Sequence, residues 1–284
     1  EGKKLIFESM PPRSPLVFAN QDLRNRSFRG QLLNEADFSG ADLRGCDFSG
    51  TELIGANFER ATLGQTIRQK AIWVGIAIAV GLVTGQAVSH LISGALGQVP
   101  GDRAWGYVIA LFISLCIAGI SSGLRMILLP RSKVNRLALR LSAVLSAAVN
   151  GFYYAGNLME KDPQWAIAGA IVGSVFTGLW FNRCGISGAM AATLAGAIMG
   201  YGAAFLAGAA AIGFLSTKHF AGGILLSCLT LVLLWLTLQS FKLTWHQIRQ
   251  APGTLFRGAN LTDALFDGVS LNHTDFSNAQ GWKV

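Results

Sequence analysis

From Phe18 onward a large apolar residue recurs at every fifth position: Phe18, Leu23, Phe28, Leu33, Phe38, Leu43, Phe48, Leu53, Phe58 and Leu63, alternating Phe and Leu without a miss. The series returns near the other end as Phe256, Leu261, Phe266, Leu271 and Phe276. Two residues before the later members stands something small: Ala36, Ala41, Cys46, Thr51, Ala56 and Ala61, then Thr254, Ala259, Ala264, Val269 and Thr274. A period of five fits neither a helix, at about 3.6 residues, nor a flat strand, at about 2. A chain built this way must turn at regular intervals. Its large residue points inward, and so does the small one, at a crowded axis that excludes bulk. The remaining three, such as Asp37, Ser39 and Gly40, face water. The result is a solenoid in which each coil buries its apolar rung against the next.

The blocks ADFSG, ADLRG, ANFER and ANLTD resemble the pentapeptide-repeat family, whose pattern is A(D/N)(L/F)XX. The resemblance covers about a quarter of the chain. It implies a right-handed quadrilateral β-helix with four pentads per coil, stacked at the usual strand spacing of about 4.8 Å. The first three pentads depart from the pattern, with Leu16, Gln21 and Arg26 at the small position, so that end reads as a frayed or capping coil. Some members of the family mimic DNA with an acidic surface. Residues 16–65 hold seven acids against five arginines, a mixed surface unlike a phosphate backbone. No nucleic-acid partner is expected.

Between the arrays lies a different composition. Charged residues make up 13% of the chain against about 25% in soluble domains, and the deficit falls almost wholly between Ile72 and Phe241. Six apolar spans are expected, at 71–96, 104–129, 137–159, 165–181, 187–212 and 219–241, each near the ~20 residues a bilayer requires. Trp73, Trp105, Trp165, Trp180 and Trp245 fall at span ends, as interfacial anchors do. The chain thus divides into an N-terminal extension (1–15), an N-terminal repeat array (16–65), a transmembrane domain (66–253) and a C-terminal array (254–284). The fold class is an α-helical polytopic membrane domain of about six helices plus a quadrilateral β-helix. Joining Gln65 to Thr254 keeps both the five-residue phase and the Leu/Phe alternation. The arrays are therefore read either as two stacks or as one composite β-helix into which the membrane domain is inserted.

Basic residues collect on one side of the spans: Arg68, Lys70, Arg131, Lys133, Arg136, Arg183, Lys242 and Arg249. The other side carries Arg103 beside Asp102, Lys161 between Glu160 and Asp162, and Lys218. The positive-inside rule places the first set, and with six spans both termini and both arrays, in the cytoplasm. The net charge of +8 is then explained by contact with anionic lipid headgroups. The four cysteines form no CxxC pair, so neither a disulfide framework nor a zinc site is expected.

Polar groups inside spans are functional candidates by default. Gln86 and His90 sit at i and i+4 on one face of the first span, and Asn150 lies inside the third. For His90 the ordinary role is an interhelical hydrogen bond; the alternative is a ligand, with Gln86 beside it, to a pigment such as chlorophyll or to a carotenoid pocket. Arg125 and Arg140 are expected to snorkel to the cytoplasmic interface. Gly169, Gly173, Gly178, Gly188, Gly196, Gly200 and Gly208 offer close helix approach or a small-residue lining. Asp37, Asp42, Asp47 and Asp263 read as turn-stabilising residues of the repeats. No paired membrane carboxylates, HExxH or phosphate loop is present. The expectation is a non-enzyme without a required cofactor: a membrane scaffold or assembly subunit that binds other membrane proteins. Membrane-anchored relatives in the family, common in cyanobacteria, imply a photosynthetic, thylakoid-type setting. A small-solute transporter or channel is the alternative.

Overall fold

The computed structural model describes residues 16–128, 132–160, 162–181 and 185–281. The N-terminal extension, Arg131, Lys161 and Arg183 of the sequence reading, and residues 282–284 of the C-terminal array lie outside these. The chain forms two compact units, one from Glu1–Lys70 with Gln250–Val284, the other from Ala71–Arg249.

The first unit is a stack of coils twenty residues long. Parallel bridges join Val17 to Asp37, Asp22 to Asp42, Ser27 to Asp47 and Leu32 to Glu52, and a second tier joins Asp37 to Asn57 and Asp42 to Thr62. The next rungs come from the far end of the chain: Asp47 pairs with Leu255, Glu52 with Asn260 and Asn57 with Leu265. Above them β1 (Thr254–Leu255) pairs in parallel with β2 (Thr274–Asp275), and Asn260 with Gln280. Residues 254–280 therefore continue the stack begun by 17–65, and residues 66–253 leave it between one pentad position and the next.

Each five-residue step ends in a turn whose last residue has positive φ. Glycine holds that place at Gly40, Gly50 and Gly268, where it costs no steric strain. Elsewhere Asn20, Asn25, Arg60, Asp263 and His273 take it. Asp263 is thus at the left-handed end of its turn; the position that stabilises the turn belongs to Asn260, whose side chain accepts from the Thr262 amide. Asp37 and Asp47 act the same way toward the amides of Ser39 and Ser49. The side-chain oxygen closes the turn and satisfies a backbone donor that the ladder does not reach.

Inside, the Phe and Leu rungs separate by face. Phe18, Phe38, Phe58 and Phe266 stack in one column with centroids 4.8–5.1 Å apart. Phe28, Phe48, Phe256 and Phe276 form a second, at 4.9–5.1 Å. The columns meet edge to face, as between Phe38 and Phe48, a geometry that favours aromatic pairs beyond their buried area. Leu23, Leu33, Leu43, Leu53, Leu63 and Leu261 are buried on the remaining sides. Leu271, read as core, is 37% exposed instead, and Phe266 and Phe276 are only partly buried. They belong to the last coil, which has no described coil beyond it.

The second unit contains α1 (Ile67–Ala95, whose first turn belongs to the solenoid unit), α2 (Trp105–Leu124), α3 (Lys133–Leu158), α4 (Pro163–Trp180), α5 (Gly185–Ser216) and α6 (Phe220–Gln250). Ser132 and Asp162 cap α3 and α4 by accepting from Asn135 and Gln164 amides. Among the described residues four helices, α1, α2, α5 and α6, are long and apolar enough to cross a membrane, which supports four of the six expected spans. Their outward faces carry Ile78, Leu82, Ile113, Ile212, Leu225 and Leu231 in the open, as lipid contact requires. α2 stops at Leu124, short of the expected span limit. α6 continues to Gln250, past its apolar stretch, because Thr244 and Ile248 still bury a face there. Hydropathy marks where a bilayer begins and ends, not where a helix does.

Candidate functional site

The solenoid presents flat, outward rows repeated every coil. On one of them Asp22, Arg24, Asp42 and Arg44 form a ladder: Arg24 pairs with Asp22 at 2.6 Å and reaches Asp42 at 3.7 Å, and Arg44 pairs with Asp42 at 2.6 Å. The hydrogen bond from Arg24 holds the Asp22 carboxyl at about 2, and that from Arg44 keeps Asp42 below its ordinary value. Charge of both signs is locked in register along this row. Half a coil away, Leu32, 71% exposed, and Ile54 stand in the open near Asn34, which accepts from the Ile54 amide. Such a wall has fixed spacing, paired charges and a few uncovered apolar residues, which suits recognition of another protein better than chemistry on a small molecule.

The small inward positions do more than clear space. Cys46, Thr51 and Thr254 are fully buried, and each donates to a backbone carbonyl of the preceding coil: Leu23, Phe28 and Leu43 respectively. Burial pushes the Cys46 thiol up to about 12, so it is a structural donor and not a nucleophile. At the place where the chain leaves and returns, the Gln65 side chain donates to the Ala251 carbonyl, Gln69 to that of Gly253, and Thr66 to Asn25. The first turn of α1 is thereby tied into the solenoid unit.

In the helical unit several glycines, Gly169, Gly173, Gly196 and Gly200 of the sequence reading among them, lie at close crossings, whereas Gly178 and Gly208 make only ordinary contacts. A methyl on Gly119 of α2 would overlap the backbone of Gly200 on α5, and one on Gly151 of α3 the backbone of Gly169 on α4. Hydroxyls reinforce these contacts: Ser122 donates to the Thr193 carbonyl and Ser142 to that of Ala192. Arg125, expected to snorkel, stands at the end of α2. It turns inward and donates to Asn135 on α3 and Thr193 on α5, because those oxygens lie within reach where three helices meet.

His90 is exposed on α1 and stacks on Tyr153 of α3, centroids 5.5 Å apart and nearly parallel. It borders a 360 Å³ cavity with Tyr107, Leu111, Ser114 and Phe152. Gln86, one turn earlier, is exposed and is not among the residues that line this cavity. A second cavity of 490 Å³ lies among α1, α3, α4 and α5, lined by Thr84, Ser146, Asn150 and Thr177 within an apolar wall that includes Gly188. Asn150 was legible as an intramembrane polar residue; Thr84 and Ser146 were not singled out. The signal for Ser146 was the spacing of four in Ser142, Ser146 and Asn150, which puts all three on one face of α3. Among the described residues no group of three His, Cys, Asp or Glu side chains could hold a metal ion.

No curated protein and no solved structure matches the chain. The match that exists falls on the solenoid: the model of the family of pentapeptide repeats fits residues 17–50, 32–67 and 253–280, in eight copies, the same stretches that stack together in the first unit.

Proposed function

We propose that this protein is a non-catalytic membrane scaffold or assembly subunit. Its solenoid binds other proteins and its helical block docks beside membrane-protein subunits. The observation that carries the reading is the stacking of residues 254–280 on 17–65. One rigid wall, held by its own ladder, is anchored to the membrane at both its outgoing strand and its returning one. The pentapeptide repeats suggest protein–protein interaction.

The same stacking bears on topology. A chain that leaves a solenoid and re-enters it must cross a bilayer an even number of times, so both arrays share one side. The basic residues Arg68, Lys70, Lys133, Arg136, Lys242 and Arg249 support the cytoplasm as that side, with anionic headgroups as their counterions. An inner or thylakoid-type membrane of a cyanobacterium, and a photosynthetic assembly as partner, form the finer version of the proposal. No cofactor is required by it; an absorption spectrum of the purified chain decides whether chlorophyll or carotenoid is carried beside His90.

The test is gentle-detergent isolation followed by clear-native gels and identification of whatever accompanies the chain. Co-migration with a larger membrane assembly is expected, and it should weaken when Leu32→Asp and Ile54→Asp are introduced together on the open solenoid row. Migration only as monomer or homo-oligomer sinks the reading. The two cavities in the helical block favour a second reading, a small-solute transporter or channel, which liposome flux measurements separate from the first.

A further inference from the structure

The helices of this protein dispose of their hydroxyls in a regular way. Thr230, Thr237, Ser240 and Thr244 on α6 each donate to the carbonyl four residues earlier. Ser122 and Ser142 donate across to α5. Ser146 on α3 breaks the pattern. It is 4% exposed, its Oγ has no hydrogen-bond partner, and it lines the 490 Å³ cavity. One turn further along α3, Asn150 lines the same cavity, and its Oδ1 is buried without a partner as well.

The orientation of the Asn150 amide is fixed by its other end. Nδ2 donates at 2.8 Å to the Ser146 carbonyl oxygen, which can only accept, and approaches Thr84 Oγ1 at 3.3 Å. Oδ1 is therefore the atom left open. Two unmet polar atoms a helical turn apart, beside a cavity whose other lining is mostly Ala, Val and Phe with Thr84, Thr177 and Trp180 among them, are costly in a mainly apolar surrounding. They also define a ligand chemistry. Oδ1 needs a donor. Ser146 Oγ offers its own proton and two lone pairs. A hydroxyl group satisfies both at once, donating to Asn150 and accepting from Ser146. A carbonyl or ether oxygen can accept from Ser146 but leaves Oδ1 bare.

We propose that this cavity holds the hydroxyl end of an apolar, lipid-soluble alcohol, with its hydrocarbon along Ala143, Ala147 and Phe176. This reaches beyond the scaffold reading and does not depend on it. The site is intramembrane and uses no solenoid residue.

The test uses the full chain in liposomes with a long-chain alcohol bearing a diazirine, photolysed and mapped by peptide mass spectrometry. Labelling should concentrate on α3, α4 and α5 residues around the cavity. Unlabelled alcohol should compete at roughly fivefold lower concentration than its methyl ether, the difference that one modest hydrogen bond, the donation to Asn150 Oδ1, supplies. Asn150→Leu should abolish that preference. Ser146→Ala, a small change on an alanine-rich helix face that preserves folding, should weaken competition by alcohol and ether alike by severalfold. Equal competition by alcohol and ether, labelling spread over the outer lipid-facing residues, or unchanged competition by both in Ser146→Ala overturns the proposal. Absence of cavity labelling does so too, since it leaves water as the occupant.

Discussion

The solenoid and the helical block are both made of small and apolar residues, yet they keep order by opposite means. In the solenoid most rungs repeat the same solution: a Phe or Leu inward, a small residue beside it, and often an Asp or Asn closing the turn. Specificity comes from register, and a misplaced residue is judged against its neighbour twenty positions away. In the helical block no two crossings are alike. Gly119 meets Gly200, Gly151 meets Gly169, and single hydroxyls such as Ser122 and Ser142 fix each approach. The repeat spreads its stability over many equivalent contacts; the block concentrates it in a few close ones.

The largest effect that separates the two is expected from Phe48→Ala, in the fully buried middle of an aromatic column. A loss of about 3–5 kcal/mol is expected, read as earlier proteolysis of the solenoid with the helical signal in circular dichroism retained. Melting of both units together would erase the distinction between them. Next comes Gly151→Leu, which forces apart the closest crossing of α3 and α4. Overpacking of this kind costs about 1–3 kcal/mol or more and should lower the detergent melting temperature of the helices while leaving the solenoid fragment protease-resistant. Thr254→Val removes the donor to Leu43 where the returning chain joins the stack; a cost of about 1 kcal/mol is expected, confined to the solenoid transition.

The join itself can be tested with Asn57→Cys and Leu265→Cys. These positions face each other across a parallel bridge although the whole helical block separates them in sequence, and neighbouring strands bring Cα atoms within disulfide range. Mild oxidation should link fragments after protease cuts a loop of the block. Thiols that stay free in the oxidised, folded protein would break the single-stack description.

The smallest effect is electrostatic. Asp22 titrates at about 2 when folded, against an ordinary value of 3.8, because Arg24 hydrogen-bonds the ionised form. A depressed folded value means the stabilisation is fully present above the ordinary carboxylate range. It is lost as pH falls through the folded value. Between about pH 4 and 2 the solenoid should therefore weaken, and Asp22→Asn with Asp42→Asn should flatten that part of the profile. Because the pairs are exposed, salt should shrink the difference.

How much of this was readable in advance also divides along the same line. A period of five is local and redundant, so the inward residues are written plainly in the chain; the phase across Gln65 and Thr254 leaves one stack or two open, and Asp263 shows that a carboxylate alone does not mark the turn-closing position. At the end of the stack Leu271 follows the pattern but lies on a coil with no described coil above it. In the helical block hydropathy locates apolar segments but does not say which way each helix is rotated. Hence His90 borders a cavity that Gln86, one turn earlier, does not line, Arg125 turns inward, and Ser146 carries a meaning that no single residue type announces. The helix limits moved for the same reason, since Thr244 and Ile248 prolong α6 by packing and not by apolarity.

The return of residues 254–280 to the stack has a consequence for how the protein is made. When the ribosome has finished the first array, its upper edge, from Cys46 to Leu63, still shows unpaired backbone groups and one open end of both aromatic columns. The residues that cover it are synthesised only after α6. Every molecule therefore passes through a stage in which the helices are being threaded into the bilayer while a sticky strand edge waits for its partner. A chain whose synthesis stops early, or whose helices insert with the wrong parity, leaves that edge bare. Completion of the solenoid is thus a record of correct insertion, and a chaperone or protease that recognises exposed strand edges could read it.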